Sequence, residues 1–237
     1  LPYPEHAVRN KQSSFKDVGC LDATRVKLLN RPASDDYVHA NYVSTPTCTR
    51  RFICTQGARK CYQYYPTKGT LKFDDITITH TGSTMVKFMC TTKAKVKVTS
   101  LTVEKGGKKL KTKHLQWEDW PDRGVPPADT AIIQILDIIK TTQAPIVVHC
   151  SAGVGRTGSL VMIQHILESM SLNQQIEDSN KLLLKLRTQR ANTIQTDQQY
   201  LFVHQVLLNY FQENQLLDQR WVPYLDHFKK EYNKFVY

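Results

Sequence analysis

A chain of 237 residues with 41% hydrophobic and 22% charged side chains has ordinary globular make-up, with room for one large α/β core and little for two. No run approaches the ~18 apolar residues of a membrane span, and the six cysteines (Cys20, Cys48, Cys54, Cys61, Cys90, Cys150) lack the CxxC spacing of a zinc site or a disulfide framework. The net charge of +11 points to acidic or phosphorylated partners, an anionic surface or nucleic acid. Free thiols imply a reducing, cytoplasmic setting. The chain opens at Leu1 with no basic-then-apolar signal segment, and is read as a domain excised from a longer protein, itself cytosolic or membrane-spanning.

The front half is strand-rich. Short β-branched and aromatic runs predict strands over 52–55, 76–79, 85–90, 96–103 and 109–117. Between Lys93 and Lys113 eight lysines face one acid, Glu104. Lys93, Lys95 and Lys97, then Lys109, Lys111 and Lys113, alternate around Lys105-Gly106-Gly107-Lys108, which reads as a β-hairpin with one lysine-rich solvent face. Edge protection is the simpler explanation and a binding stripe the other. No stacking aromatics interleave, so nucleic acid is not expected as a partner. The back half turns helical: 128–140 carries apolar residues at helical spacing, a buried strand follows at 146–148, and amphipathic segments run over 157–170, 178–190, 197–211 and 219–235. No linker or repeat divides the chain. The expectation is a single α/β domain over 1–237, a mixed and highly twisted β-sheet flanked by helices.

The segment from Pro145 to Gly158 carries the chemistry. The strand leads through His149-Cys150-Ser151-Ala152-Gly153-Val154-Gly155-Arg156-Thr157-Gly158 into a helix. Such a loop turns successive backbone N–H groups into one concavity beside a positive helix end, an oxyanion cradle. Gly153-Val-Gly155-Arg-Thr-Gly158 also matches the dinucleotide pattern G-x-G-x-x-G. That reading needs a second parallel strand after the helix, whereas 178–190 looks helical, and it leaves His149, Cys150 and Arg156 without work. The phosphate reading employs all three. A thiol of ordinary pKa ~8.5 is brought down by a helix N-terminus and nearby cations. Arg156 can grip two phosphoryl oxygens with its planar fork, and glycines let the backbone approach closely.

These residues resemble the signature of the protein tyrosine phosphatases, in their phosphotyrosine-specific, cysteine-dependent branch. Further resemblances follow in family order along nearly the whole chain: Phe15-Lys-Asp17-Val with Asp22-Ala-Thr-Arg25-Val; Asp36-Tyr-Val-His39-Ala-Asn41-Tyr; Phe52-Ile-Cys-Thr-Gln56-Gly; Lys60-Cys61-Tyr-Gln-Tyr64-Tyr65-Pro66; Trp120-Pro-Asp122-Arg-Gly-Val-Pro126; Leu186-Arg187-Thr-Gln-Arg190; and Gln195-Thr-Asp-Gln-Gln199-Tyr200.

The resemblance implies hydrolysis of phosphotyrosine on signalling proteins. Cys150 is the nucleophile, and Arg156 with the amides of Ser151, Ala152, Gly153, Val154 and Gly155 holds the phosphoryl oxygens. Asp122 is the general acid, since a tyrosine leaving group of pKa ~10 departs best when protonated. Thr157 stabilises the departing thiolate, His149 orients the loop, Gln195 orients the hydrolytic water, and Gln199 lies near it. Phe15 stacks on the substrate ring in place of the usual tyrosine, and Asp17 accepts hydrogen bonds from the substrate backbone. Ser14 replaces a usual basic residue and His39 a usual asparagine. No cofactor or metal is implied. The partners are phosphotyrosine-containing proteins or peptides, and the chain is expected to act as a monomer without inserting in a membrane.

The resemblance breaks once. Relatives carry several dozen residues, including a central apolar strand, where this chain has Ala58-Arg59 between Gly57 and Lys60. Losing that strand removes large apolar side chains worth ~1.5–3 kcal/mol each and leaves its neighbours without hydrogen-bond partners. A weakly active enzyme, or an inactive phosphotyrosine-binding pseudophosphatase, is the implied alternative.

Overall fold

The computed structural model describes residues 18–29, 31–57, 63–121, 124–143, 145–175 and 177–236, and the backbone of 8–9. Strands β1 (Val8–Arg9) and β2 (Cys20–Leu21) pair antiparallel, and a 3-10 turn (Asp22–Thr24) leads to β3 (Arg25–Lys27). β4 (Tyr37–Thr45) and β5 (Cys48–Gln56) form an antiparallel hairpin, β3 lies beside β4, and β10 (Ile146–Cys150) runs parallel to β5. A second, antiparallel sheet has the order β6 (Thr70–Phe73), β7 (Ile76–Met85), β8 (Val96–Lys105), β9 (Lys108–Trp117). The helices are α1 (Ala131–Ile139), α2 (Gly155–Ser171), α3 (Ser179–Arg187), α4 (Asp197–Glu213) and α5 (Val222–Val236), the last entered through a 3-10 turn at Gln219–Trp221. Mixed α/β architecture with twisted antiparallel and mixed sheets is therefore what the sequence folds into.

Local chemistry explains most of these elements. The β8–β9 hairpin turns at Gly106 and Gly107, with φ of 53° and 75°, the two positive dihedrals that a right-twisted two-residue turn demands. In α3, Leu182 and Leu186 are buried one turn apart while Leu184 points outward, and Asp178 caps the helix by accepting from Asn180 N and Lys181 N. Thr196 caps α4 by accepting from Gln199 N. Buried Arg51 of β5 donates to the carbonyls of Ile139 and Thr142, placing a cation at the negative end of α1 and tying that helix to the sheet.

Phe52, Cys54 and Val43 of the mixed sheet are buried against Ile132 of α1, Met162 and Ile163 of α2, and Phe202 and Val206 of α4. α2 is the central helix: it packs on α4, β10 and α1. Since loop 151–154 joins β10 to α2, elements packed in the core hold that loop on both sides.

Three expectations are corrected. The run 85–90 is not a strand: β7 ends at Met85 because β8 begins only at Val96, and Met89 is 94% exposed. The lysines do not share one face. Lys109, Lys111 and Lys113 lie opposite Glu104, Thr102 and Ser100, whereas Lys97 lies opposite Gln116 on the other face and Lys93 and Lys95 precede the strand. The strands are not one sheet either. Two four-stranded sheets present their terminal strands to each other, with the rings of His114 (β9) and His149 (β10) 6.3 Å apart. Among the described residues neither strand has a partner on that side, and Val147 of β10 is 60% exposed.

Candidate active site

The parallel pairing of β10 with β5 sets Cys150 opposite Gln56 and brings Gly57 against the start of the loop, where Gly57 N donates to Ser151 O at 3.1 Å. A Cβ on Gly57 would fall 1.7 Å from Cys150 O and 2.6 Å from His149 Nδ1. Only glycine fits that contact. Gly153 stands under the same constraint with a second one added: its φ is +72°, and a Cβ would meet Thr55 O at 1.9 Å. This left-handed turn sends Gly153 N back to Cys150 Sγ at 3.2 Å.

α2 opens at Gly155, so the thiol sits at a helix N-terminus. Burial raises the Cys150 pKa, but the Thr157 hydroxyl and the amides of Thr157, Val154 and Gly153 outweigh it, and the net shift is downward. Thr157 Oγ1 is itself buried and without another partner, which leaves its proton for the sulfur. The thiolate is favoured by donors that would serve phosphoryl oxygens equally well. Arg156, half-buried at the first turn, reaches Trp120 O with Nη1 at 3.5 Å. Trp120 packs between Trp117 and Phe202. The base of the loop is the buried trio Val18, Ala152 and Val154.

The two glutamines converge on the same place. A Cβ on Gly155 would lie 2.7 Å from Gln199 Nε2 and 2.9 Å from Gln195 Oε1. Gln199 is buried and accepts from Gln195 N at 2.9 Å. The turn before them is strained: buried Ile194, a β-branched residue, has φ of +60°, a dihedral that costs such a residue on the order of 1–3 kcal/mol. It is held by Ile194 N donating to Val154 O at 3.0 Å and by Arg187 donating to Thr193 O and Ile194 O. Loop 151–154 and the glutamine turn are thus bonded directly.

Arg190, to which no role was assigned from the sequence, braces the loop. It is 1% exposed and donates to Gly153 O (3.1 Å), Ala152 O (3.1 Å) and Asn41 Oδ1 (2.8 Å), with His39 Nδ1 at 3.4 Å. Holding the carbonyls of the loop outward keeps its amides inward. His39 therefore accepts from Arg190 at Nδ1 and donates from Nε2 to Val18 O at 3.0 Å. Burial and the Arg190 charge both push its pKa down, keeping it neutral. A sequence cue did exist: Arg190 closes a motif with no acidic residue within four positions on either side.

His149 is turned away from the thiol toward β9. Its Nε2 lies 2.5 Å from Tyr64 Oη, which is also 3.0 Å from His114 Nε2. Burial lowers the pKa of His149. Asp122, Phe15 and Asp17 lie outside the described residues. Among the described residues no group of three His, Cys, Asp or Glu side chains is arranged to hold a metal.

A family model described as protein-tyrosine phosphatase matches residues 9–59 and 57–209, two pieces that meet at the shortened segment. Among curated relatives, tyrosine-protein phosphatase Lar-like of Caenorhabditis elegans is 29% identical over 84% of this chain and 10% of its own length. Human tyrosine-protein phosphatase non-receptor type 14 is 30% identical over 92% of this chain and 21% of its own. The rat phosphatidylinositol phosphatase PTPRQ is 29% identical over 84% and 10%. The chain spans 21% or less of the length of these relatives. In fold, the solved catalytic domain of human protein tyrosine phosphatase non-receptor type 18 superposes with a TM-score of 0.71 at 23% identity, covering 84% of each chain. The same protein solved in complex with HER2-pY1196 phospho-peptides gives 0.72 at 23%, covering 86% of this chain and 84% of that one. With the family model matched across far more than half its length, this chain belongs to the protein-tyrosine phosphatase family.

Proposed function

We propose that the chain hydrolyses phosphotyrosine on proteins through a cysteinyl-phosphate intermediate. The observation that carries this reading is the sulfur of Cys150, held 3.2 Å from Gly153 N at the mouth of α2 with its pKa lowered. In the first step the thiolate attacks phosphorus, the bond to the tyrosyl oxygen breaks, and Asp122 gives its proton to that oxygen. Arg156 and the amides of 151–155 hold the equatorial oxygens, where phosphoryl transfer needs positioning and charge stabilisation most. In the second step water, oriented by Gln195 with Gln199 behind it, attacks phosphorus, gives a proton to Asp122 and releases inorganic phosphate with the thiolate restored. Phe15 stacks on the substrate ring and Asp17 takes its backbone.

A second reading has its own observation. β10, which carries the nucleophile, is a terminal strand with Val147 60% exposed, so the loop stands on weakened support. On that reading the chain binds phosphotyrosine and turns it over slowly or not at all. One experiment separates the two: p-nitrophenyl phosphate and a phosphotyrosyl peptide are assayed with the wild type, Cys150→Ser and Asp122→Ala. The enzyme reading requires Ser to abolish turnover and Ala to slow it while substrate stays bound; peptide binding without turnover in the wild type establishes the pseudophosphatase instead.

The rest of the reading follows from the same features. Residues 1–237 act as one phosphatase domain, since strands from the front half and helices from the back half share one core. It works as a monomer in the cytoplasm, without a cofactor, on phosphotyrosine-containing proteins and not on nucleic acid. Cys20, Cys48, Cys54, Cys90 and Cys150 are all free thiols, in keeping with that compartment, and among the described residues no helix is long and apolar enough to cross a membrane.

A further inference from the structure

We propose that the outer edge of β9 from Lys109 to Lys113 is a docking site for an acidic, extended segment of a partner protein. The segment adds to the sheet as an antiparallel strand, with a glutamate or aspartate opposite each lysine. None of these residues belongs to the proposed catalytic set, so the role of this edge stands whether or not the chain turns phosphotyrosine over.

Among the described residues β9 has a strand partner on one side only, β8. Its far end is covered by the chain itself: Tyr65 lies over His114 with ring centroids 4.2 Å apart and donates to Gln116 Oε1 at 2.9 Å. Lys108 through Lys113, in contrast, are all exposed. The turn decides which backbone groups of this stretch face outward. In a two-residue hairpin the pair that flanks the turn, here Lys105 and Lys108, exchanges both hydrogen bonds, and bonded and non-bonded pairs then alternate. The register from there to Lys113 is unbroken. Lys108, Leu110 and Thr112 therefore turn their N–H and C=O groups to β8, while Lys109, Lys111 and Lys113 turn theirs away from the sheet. Such a row is a template for one more strand.

The side chains say which strand. The three lysines stand on one face, about 7 Å apart, and their cross-strand neighbours are Glu104, Thr102 and Ser100. Glu104 pairs with Lys109 at 3.0 Å; the hydroxyls beside Lys111 and Lys113 bring no charge, so the row keeps a positive surplus. The other face carries Leu110, 64% exposed, and Thr112. Lysines that served only to discourage aggregation would not leave a leucine open between them. A segment with acids at alternate positions and β-branched residues between them answers both faces, setting charge against charge on one and covering Leu110 on the other. Antiparallel addition puts each acid directly opposite a lysine and continues the pairing of β6 through β9. An anionic membrane would answer the lysines alone, giving no work to the outward backbone groups.

Fluorescence anisotropy of a labelled peptide, Thr-Glu-Val-Glu-Val-Glu-Thr, titrated with the whole chain tests this. The peptide should bind, and the same residues in blocks, Glu-Glu-Glu-Val-Val-Thr-Thr, should bind about 10-fold more weakly or worse. In antiparallel addition the acids opposite the lysines point their N–H groups at β9. N-methylation of the three glutamates should therefore abolish binding, and N-methylation of the two valines should leave it within about 2-fold; any other pattern overturns the proposal. Lys111→Glu combined with Lys113→Glu should weaken the parent peptide about 10-fold or more and strengthen Thr-Lys-Val-Lys-Val-Lys-Thr. That gain cannot come from misfolding, and its absence counts against the edge. Saturating vanadate should change nothing; displacement by it would place the peptide in the Cys150 loop instead and defeat the inference. So would sedimentation of the wild type with phosphatidylserine vesicles while the parent peptide fails to bind, since the lysines would then serve a membrane.

Discussion

Replacing Arg190 by methionine tests how the loop after Cys150 is kept open. The guanidinium is 1% exposed and supplies the donors for Gly153 O, Ala152 O and Asn41 Oδ1. Methionine fills much of the volume and donates nothing. Each acceptor left buried without a donor costs on the order of 1–3 kcal/mol, and not burying a charge offsets part of this. A net loss of about 3–5 kcal/mol is expected, a large share of the ~5–15 kcal/mol typical of a domain. At about 2–4 °C per kcal/mol for a chain of this size, the melting midpoint should drop by 6 °C or more. Freed of Arg190, the carbonyls of 152 and 153 can turn inward, so the Cys150 alkylation midpoint should also rise. Calorimetry gives the first quantity and pH-dependent iodoacetamide labelling the second. A melting midpoint within 2 °C of wild type, with labelling unchanged, would show that the loop holds its own shape and that Arg190 is mere filling.

Three further outcomes follow from the same geometry. Thr157→Val keeps the shape and removes the hydroxyl aimed at the sulfur; the Cys150 labelling midpoint should move up with little change in melting temperature, and an unmoved midpoint would refute the hydroxyl's role. Gly153→Ala forces a Cβ to 1.9 Å from Thr55 O at a φ of +72°; the dihedral alone costs about 1–2 kcal/mol, and vanadate affinity should fall by more than 10-fold as the amide leaves the cradle, a result that retained affinity would contradict. Stability should decline on acidification because of His114, whose pKa is lowered to about 4 in the folded chain from an ordinary 6.5. Between those values the unfolded chain binds the extra proton and the folded one does not, so unfolding is favoured as pH falls from 6.5 toward 4. Discounted for the partial exposure of the ring, the loss should be about 1 kcal/mol. Urea titrations at pH 7 and pH 4.5 of wild type and His114→Phe read it, the variant being the less acid-sensitive of the two.

How much was legible in the sequence divides along the length scale of the interactions. The run from Ile146 through Gly158 announced strand, loop and helix because every requirement there is local: β-branched residues, then glycines where no Cβ fits, then a helix N-terminus. The hairpin at Gly106-Gly107 was legible on the same grounds. The run 85–90 was misread because a strand exists only where a neighbour supplies its hydrogen bonds, and β8 starts too late to do so. β4, its residues of mixed character, was matched to a family motif but not predicted as a strand, since its burial comes from β3 and β5 on either side.

The setting of Cys150, a thiol in a glycine-rich turn ahead of a helix, was determined by ten consecutive residues. What only the tertiary structure decided is what braces that turn. Arg190 meets it from 37 residues away along the chain, and Tyr64 reaches His149 across 85. The opposed terminal strands β9 and β10 come from different sheets altogether. A buried guanidinium is held by whichever acceptors packing brings within about 3 Å, and that proximity is a property of the folded chain that no local pattern of side chains encodes.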